Sequence, residues 1–263
     1  MDFQFFFKYL SYKLTSWHKH GYGIHSPFVF ELLTKTMRNF KSFDCYKDIE
    51  KLRKTAKYTN KTIEIEDFGA GSHILKSNKR KIKDIAKYSL TKKKYAQLLF
   101  RLVNHFKPEN VLELGTSLGI TTIYLAKGNS HAKVFSLEGS KEIAKEAKNN
   151  FNKLNVKNID LITGNFDNTL PKVLSNIKKL DFVFFDGNHT KDATLSYFNQ
   201  CLPYVLNDTV FVFDDIHWSE QMEEAWEEIK NHKVITVTID LFFMGLVFFR
   251  KENYCKQNFR IRF

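Results

Sequence analysis

From residue 110 onward the chain repeats one pattern. A short Val-, Ile-, Leu- or Phe-rich run meets a turn, and a longer stretch follows with apolar residues three and four apart. Short apolar runs between turns are buried strands, and spacings of three and four make amphipathic helices. The pattern predicts strands at 111–114, 133–137, 159–163, 181–186 and 209–213, with helices over 119–127, 140–153, 168–176 and 191–202. Strictly alternating strands and helices predict a parallel sheet covered on both faces. After the fifth strand, Trp218, Met222, Trp226 and Ile229 predict the buried stripe of a further helix, with Glu220, Glu224, Glu227 and Glu228 on its wet side. Val234–Thr238 and Phe243–Phe249 lie too close together for a helical crossover and predict an antiparallel hairpin. The expected fold class is α/β: five parallel strands closed by an antiparallel hairpin, helices on both faces, and a helical N-terminal region.

In that N-terminal region, Phe3, Phe6, Phe7, Leu10, Leu14 and Trp17 fall at helical spacing and predict an amphipathic helix ending near Gly21-Tyr22-Gly23. Asp2 and Lys8 interrupt the apolar run and no small-residue cleavage site follows, so a signal peptide is not expected. The apolar face is expected to pack on its own domain or on a partner subunit, as in a homodimer. Ser26 caps a second helix with Pro27 at its first position and Phe28, Leu32 and Leu33 on its apolar face. Further helices are predicted over 44–58, 77–88 and 92–106.

Charge divides the chain in the same place. The net charge is +12, and residues 1–100 hold 21 Lys+Arg against 9 Asp+Glu, so the remainder is neutral. This predicts a basic, mainly helical region over 1–94 and a second domain over 95–263. The lysine run from Lys76 to Lys94 reads as a solvated face, or as a patch for an anionic substrate, nucleic acid or lipid headgroups. No aromatic interleaving accompanies it, so nucleic acid is not favoured. Cys45, Cys201 and Cys255 are odd in number and lack metal-ligand spacing, which fits a reduced, cytoplasmic protein. No stretch is long and apolar enough to span a membrane.

Two glycine turns compete as the ligand site. Asp67-Phe68-Gly69-Ala70-Gly71 is followed by a lysine-rich helix and no strand ending in an acid. Glu113-Leu114-Gly115-Thr116-Ser117-Leu118-Gly119 is followed by a helix and a strand ending in Glu138, 23 positions after Gly115. A spacing of about 20 lets an acid take both hydroxyls of an adenosine ribose, which favours the second turn. Its G-x-x-x-G spacing lacks the dinucleotide fingerprint, and Glu113 repels phosphates while compensating an ammonium or sulfonium group. A cationic, phosphate-free nucleoside such as S-adenosylmethionine meets these conditions. The helix after Gly119, with Thr121, suits its carboxylate.

Residues 95–250 resemble a class I S-adenosylmethionine-dependent methyltransferase, with ELGTSLG as first motif, Glu138 as ribose-binding acid, and Gly164-Asn165-Phe166-Asp167 similar to the segment flanking the adenine. The resemblance implies a Rossmann-like sheet and cofactor contacts from Glu113, Gly115, Thr116, Ser117, Gly119, Thr121, Glu138, Asn165, Phe166 and Asp186. The fourth and fifth strands end in Asp186-Gly187-Asn188-His189 and Asp214-Asp215-Ile216-His217, at the edge where α/β sheets bind ligands. Converging carboxylates call for protons or a cation, and oxygen ligands favour Mg²⁺ or Mn²⁺. The strand ends resemble those of metal-dependent O-methyltransferases of the catechol type and of related sugar O-methyltransferases. That implies Asp186, Asp214 and Asp215 as metal ligands and His217 or His189 as base. The catechol type has a lysine where this chain has His189, so a catechol-like acceptor is not implied. His18, His20 and His25 read as surface histidines. The leading expectation is methylation of a small-molecule hydroxyl. Its rivals are an RNA or other nucleic-acid methyltransferase using the basic region, and a non-catalytic binding module.

Overall fold

The computed structural model describes residues 3–16, 21–65 and 78–263. Trp17, His18, His20 and the Asp67–Gly71 turn lie outside the described residues. Along the chain come α1 (Phe3–Thr15), α2 (Pro27–Glu31, continued by a π-helical turn over Leu32–Met37), α3 (Cys45–Tyr58), β1 (Thr62–Glu64), β2 (Lys79–Lys81), α4 (Ile82–Tyr88) and α5 (Lys93–Phe106). The alternating part follows: β3 (Asn110–Leu114), α6 (Ile120–Gly128), β4 (Lys133–Glu138), α7 (Lys141–Lys153), β5 (Ile159–Thr163), α8 (Phe166–Asn176), β6 (Leu180–Phe185), α9 (Lys191–Cys201), β7 (Val205–Asp214), α10 (Glu220–Asn231), β8 (Val237–Asp240), β9 (Met244–Phe248) and β10 (Gln257–Arg260). The protein is a mixed α/β chain in which the predicted strand–helix alternation is present throughout.

Two compact units divide it: Phe40–Lys178 with Asp186–Asn188, and Met1–Asn39 with Lys179–Phe185 and His189–Phe263. These units do not follow the compositional boundary near residue 94, because α3, α4 and α5 belong with the strands that follow them.

In the first unit β3 pairs parallel with β4, and β4 with β5. The strands are short and crossover helices join them, so parallel pairing is the geometry available. Leu98, Leu99, Leu102 and Val103 of α5 are fully buried, as are Val111, Leu112 and Leu114 of β3. Each such side chain contributes roughly 1.5–3 kcal/mol. α3 adds Tyr46, whose ring packs edge-on against Phe100 and Tyr124. The helix predicted over 77–88 is present over Ile82–Tyr88, as α4, but not before it. Lys79–Lys81 instead forms β2, antiparallel to β1, with Glu64 opposite Lys79. An alternating exposed edge suits charged side chains better than a packed helix face.

In the second unit β6 pairs parallel with β7, β7 antiparallel with β9, and β8 antiparallel with β9. The predicted hairpin is present, with its first strand starting at Val237 rather than Val234. An eighth strand of this α/β arrangement, β10, runs parallel to β8 and was not anticipated. Its four residues alternate between half-buried and exposed, too weak a pattern to stand out.

Two apolar faces differ from the prediction. In α1, Phe6, Phe7, Leu10 and Leu14 are exposed. Phe5, Tyr9 and Tyr12 face inward instead, with rings against Phe242, and the Tyr12 hydroxyl donates to the Ile261 carbonyl. Ring contacts with Phe242 and a hydroxyl partner hold this face inward, although the other stripe is the longer one. In α10, Met222, Trp226 and Ile229 are buried as expected, but Trp218 is 51% exposed. It precedes the cap, Ser219, whose hydroxyl accepts from the Met222 amide.

Candidate functional site

The site is built on the turn between β3 and α6. Gly115 has φ +107, and a Cβ there would lie 2.1 Å from the carbonyl oxygen of Asp186. Only glycine allows this conformation and this approach. The amides of Gly115 and Thr116 both donate to the Leu137 carbonyl, and the Asp186 amide donates to Leu114. The turn is thereby tied to β4 on one side and to Asp186 on the other. Gly119, at φ +75, starts α6 over the Phe151 ring, 2.4 Å from where its Cβ would be.

Glu138 ends β4 beside this turn, as its spacing predicted. One carboxylate oxygen accepts from the Ser117 amide at 2.8 Å and the other from the Ser140 amide at 3.0 Å. Each carboxylate oxygen has two lone pairs and can accept from more than one donor.

Glu113 is fully buried beneath the turn rather than lining it. Its Oε2 accepts from Thr122 at 2.6 Å and from Ser136 at 2.5 Å. Thr116 and Ser136 share a further hydroxyl contact of 2.6 Å. Burial pushes the Glu113 carboxyl up to about 8, against the opposing pull of the Ser136 and Thr122 hydroxyls. Glu113 Oε1, Ser117 Oγ and Ser140 Oγ are all buried with no hydrogen-bond partner among the described residues. Native interiors pair such atoms. Three orphans around one turn mark the place where a polar ligand or ordered water completes the structure.

The other predicted cofactor residues gather nearby. Thr121 is buried and shares a 2.9 Å hydroxyl contact with Thr91, which in turn donates to Asp186 Oδ2 at 3.2 Å. Thr91 was not singled out from the sequence, since a lone threonine before a lysine-rich helix carries no signal. Asn165 caps α8 by accepting from the Asp167 amide. The Phe166 ring lies over Gly187, 2.7 Å from where a Cβ would be.

Asp186 belongs to the first unit; Asp214, Asp215, His189 and His217 belong to the second. Asp214 is buried at the end of β7, opposite Met244. Asp215 takes φ +55, and its amide donates to the Phe243 carbonyl. His217 has both ring nitrogens on carboxylates, Nδ1 at 3.1 Å from Glu223 and Nε2 at 2.9 Å from Asp240. Its ring stacks on Phe242. A general base needs a free nitrogen lone pair, and these contacts occupy both nitrogens. Glu223 lies six residues past His217 and Asp240 lies 23 past it, on β8, so no local spacing signals the clamp. Among the described residues no three or more His, Cys, Asp or Glu side chains gather where they could hold a metal ion.

Residues 112–216 match a family model described as a methyltransferase domain. No curated protein sequence matches the chain. Among solved structures, an O-methyltransferase from Bacillus cereus in complex with S-adenosylhomocysteine aligns with TM-score 0.57 and 18% identity, covering 80% of this chain and 93% of that one. The S-adenosylhomocysteine-bound methyltransferase PaMTH1 from Podospora anserina gives 0.59 and 14%, covering 80% and 89%. The O-methyltransferase TomG from Streptomyces achromogenes, in complex with S-adenosylmethionine, gives 0.54 and 18%, covering 62% and 82%. Residues 112–216 thus resemble a methyltransferase domain, and the fold is similar to that of solved O-methyltransferases.

Proposed function

We propose that the protein is an S-adenosylmethionine-dependent methyltransferase that methylates a hydroxyl group of a small molecule. The observation that carries this reading is the glycine turn, with Glu138 held against it by two amides and three orphaned polar atoms around it. Glu138 would take the ribose hydroxyls, Asn165 and Phe166 would flank the adenine, and Thr121 with Asp186 would meet the amino-acid end. The turn at Gly115 brings backbone, not side chain, against the ligand. When bound, S-adenosylmethionine supplies a methyl group on a sulfonium, which an acceptor oxygen displaces in line. The O-methyltransferases of similar fold support oxygen as the acceptor atom.

The acceptor's proton must pass to a base. Of the two histidines, His217 would have to leave Glu223 or Asp240 first, so His189 is the base to test. Free cysteines at Cys45, Cys201 and Cys255 support a reducing, cytoplasmic setting. Among the described residues no helix is long and apolar enough to cross a membrane.

Calorimetric titration with S-adenosylmethionine tests the reading. The wild type should bind, and Glu138→Gln should weaken binding about tenfold or more, because an amide cannot accept on both oxygens. Absence of binding by the wild type overturns the proposal. Metal assistance through Asp186, Asp214 and Asp215 is a separate question. Turnover stimulated by Mg²⁺ or Mn²⁺ and lost in chelator supports it, and equal turnover in excess chelator removes it.

A further inference from the structure

Behind Asp186 runs a buried hydrogen-bond chain that starts in α3, outside the part of the sequence that resembles a methyltransferase. Arg53 is only 5% exposed. Its Nε donates to Glu50 Oε1 at 3.0 Å and its Nη1 to the Thr91 carbonyl at 2.8 Å. Glu50 Oε1 also accepts from the Tyr124 hydroxyl of α6 at 2.8 Å. Thr91 then passes the chain on, donating from its hydroxyl to Asp186 Oδ2 and contacting the Thr121 hydroxyl. With its proton committed to Asp186, Thr91 receives the proton of Thr121.

We propose that Arg53 is a positioning residue for the candidate site, holding Thr91 so that its hydroxyl orients the Asp186 carboxylate and the Thr121 hydroxyl beside the glycine turn. This rests on the reading of that turn as an S-adenosylmethionine site. Thr91 lies in the short link between α4 and α5, where no strand ladder fixes the backbone. Its carbonyl is set by the guanidinium, and its hydroxyl points the other way along the chain of contacts. A buried ion pair is weak evidence for stability, since apolar packing often serves as well. What apolar packing cannot supply is a donor to a backbone carbonyl, with rigid fork geometry that ties α3 to the α4–α5 link. Arg53 Nη2 is buried without a partner, so the guanidinium is kept in place despite an unmet donor. That cost is understandable where the residue serves the site as well as the fold. The basic N-terminal region thus acquires a role through one buried arginine rather than through its exposed lysines.

The test is a double-mutant cycle read by calorimetric binding of S-adenosylmethionine to the full chain, with thermal melting as the check on folding. Thr91→Val removes the hydroxyl at nearly constant volume, and Thr91→Ser restores it. Thr91→Val and Arg53→Gln should each weaken binding about tenfold or more. Thr91→Ser should bind within a few-fold of the wild type, and the double variant should be no weaker than the worse single one. An arginine that does not act through Thr91 predicts losses that multiply in the double variant. Wild-type affinity in Thr91→Val, or losses that multiply, overturns the proposal while leaving the cofactor reading intact. No binding by the wild type overturns both. If Arg53→Gln fails to fold, the Thr91 pair decides.

Discussion

Beneath the glycine turn two hydroxyls donate to the Glu113 carboxyl, and burial pushes it up to about 8 from an ordinary 4.5. A carboxyl that holds its proton more tightly folded than unfolded stabilises the fold fully below the unfolded value, and this contribution is lost as pH rises through the folded one. The unliganded wild type should therefore lose stability between about pH 5 and pH 8, by an amount on the order of a few kcal/mol. Glu113→Gln cannot ionise and can still accept from Thr122 and Ser136. Its melting temperature should be nearly level over that range, so its advantage over the wild type grows with pH. Parallel melting curves for the two proteins from pH 5 to pH 8 would remove the assignment of that slope to Glu113. Position and depth were not equally readable here. The distance from Gly115 to Glu138 is fixed by one strand–helix–strand unit, so spacing alone brought Glu138 to the turn. Whether Glu113 lines the turn or lies under it depends on which way the strand end faces, and Ser136 and Thr122 settle that only once β4 and α6 are packed. His217 is the same case, because its partners Glu223 and Asp240 come from α10 and β8.

Elements with a strong period were legible, and those with two competing faces were not. β3, β4, β6 and the end of β7 read clearly because buried parallel strands are continuous apolar runs, as in Phe182–Phe185, whereas the half-exposed β5 was marked mainly by its place in the alternation. α1 carries two apolar stripes, and periodicity favoured the one that the structure exposes. The choice was made by Phe242 and Phe243, which lie too far along the chain for a local pattern to register. β9 shows how tightly such partners fit. A Cβ on Gly245 would sit 2.5 Å from the Trp226 ring of α10, and Trp226 is itself fully buried. Gly245→Ala should cost about 1–3 kcal/mol, the usual penalty for forcing a methyl group into a packed core. Chemical denaturation gives this directly, and an unchanged midpoint would mean that the Trp226 ring can yield.

At the scale of the whole chain, composition marked a boundary near residue 94, whereas packing draws its lines elsewhere. Lysine density is a property of the surface, and a domain is defined by the core it shares. The described residues of 40–94 contribute to the core around the glycine turn. Tyr46 packs on Phe100 and Tyr124, Arg53 holds the Thr91 carbonyl, and Glu50 takes the Tyr124 hydroxyl. The Tyr46 and Glu50 contacts reach the helices on either side of β3 and the Arg53 contact reaches the link before α5, so the part of the chain that resembles a methyltransferase packs against residues outside it. A chain beginning at residue 95 keeps every predicted cofactor residue but leaves Phe100 and Tyr124 without this cover. It also removes Thr91 from Asp186. Such a chain should lose its cooperative thermal transition and its binding of S-adenosylmethionine together, measured by circular dichroism melting and calorimetry. A truncated chain that melts cooperatively at the wild-type temperature and binds with wild-type affinity would restore the compositional boundary as a true domain border. Cooperative melting with weakened binding would instead separate the two roles of this region, leaving the fold to residues 95–263 and the set of the site to α3.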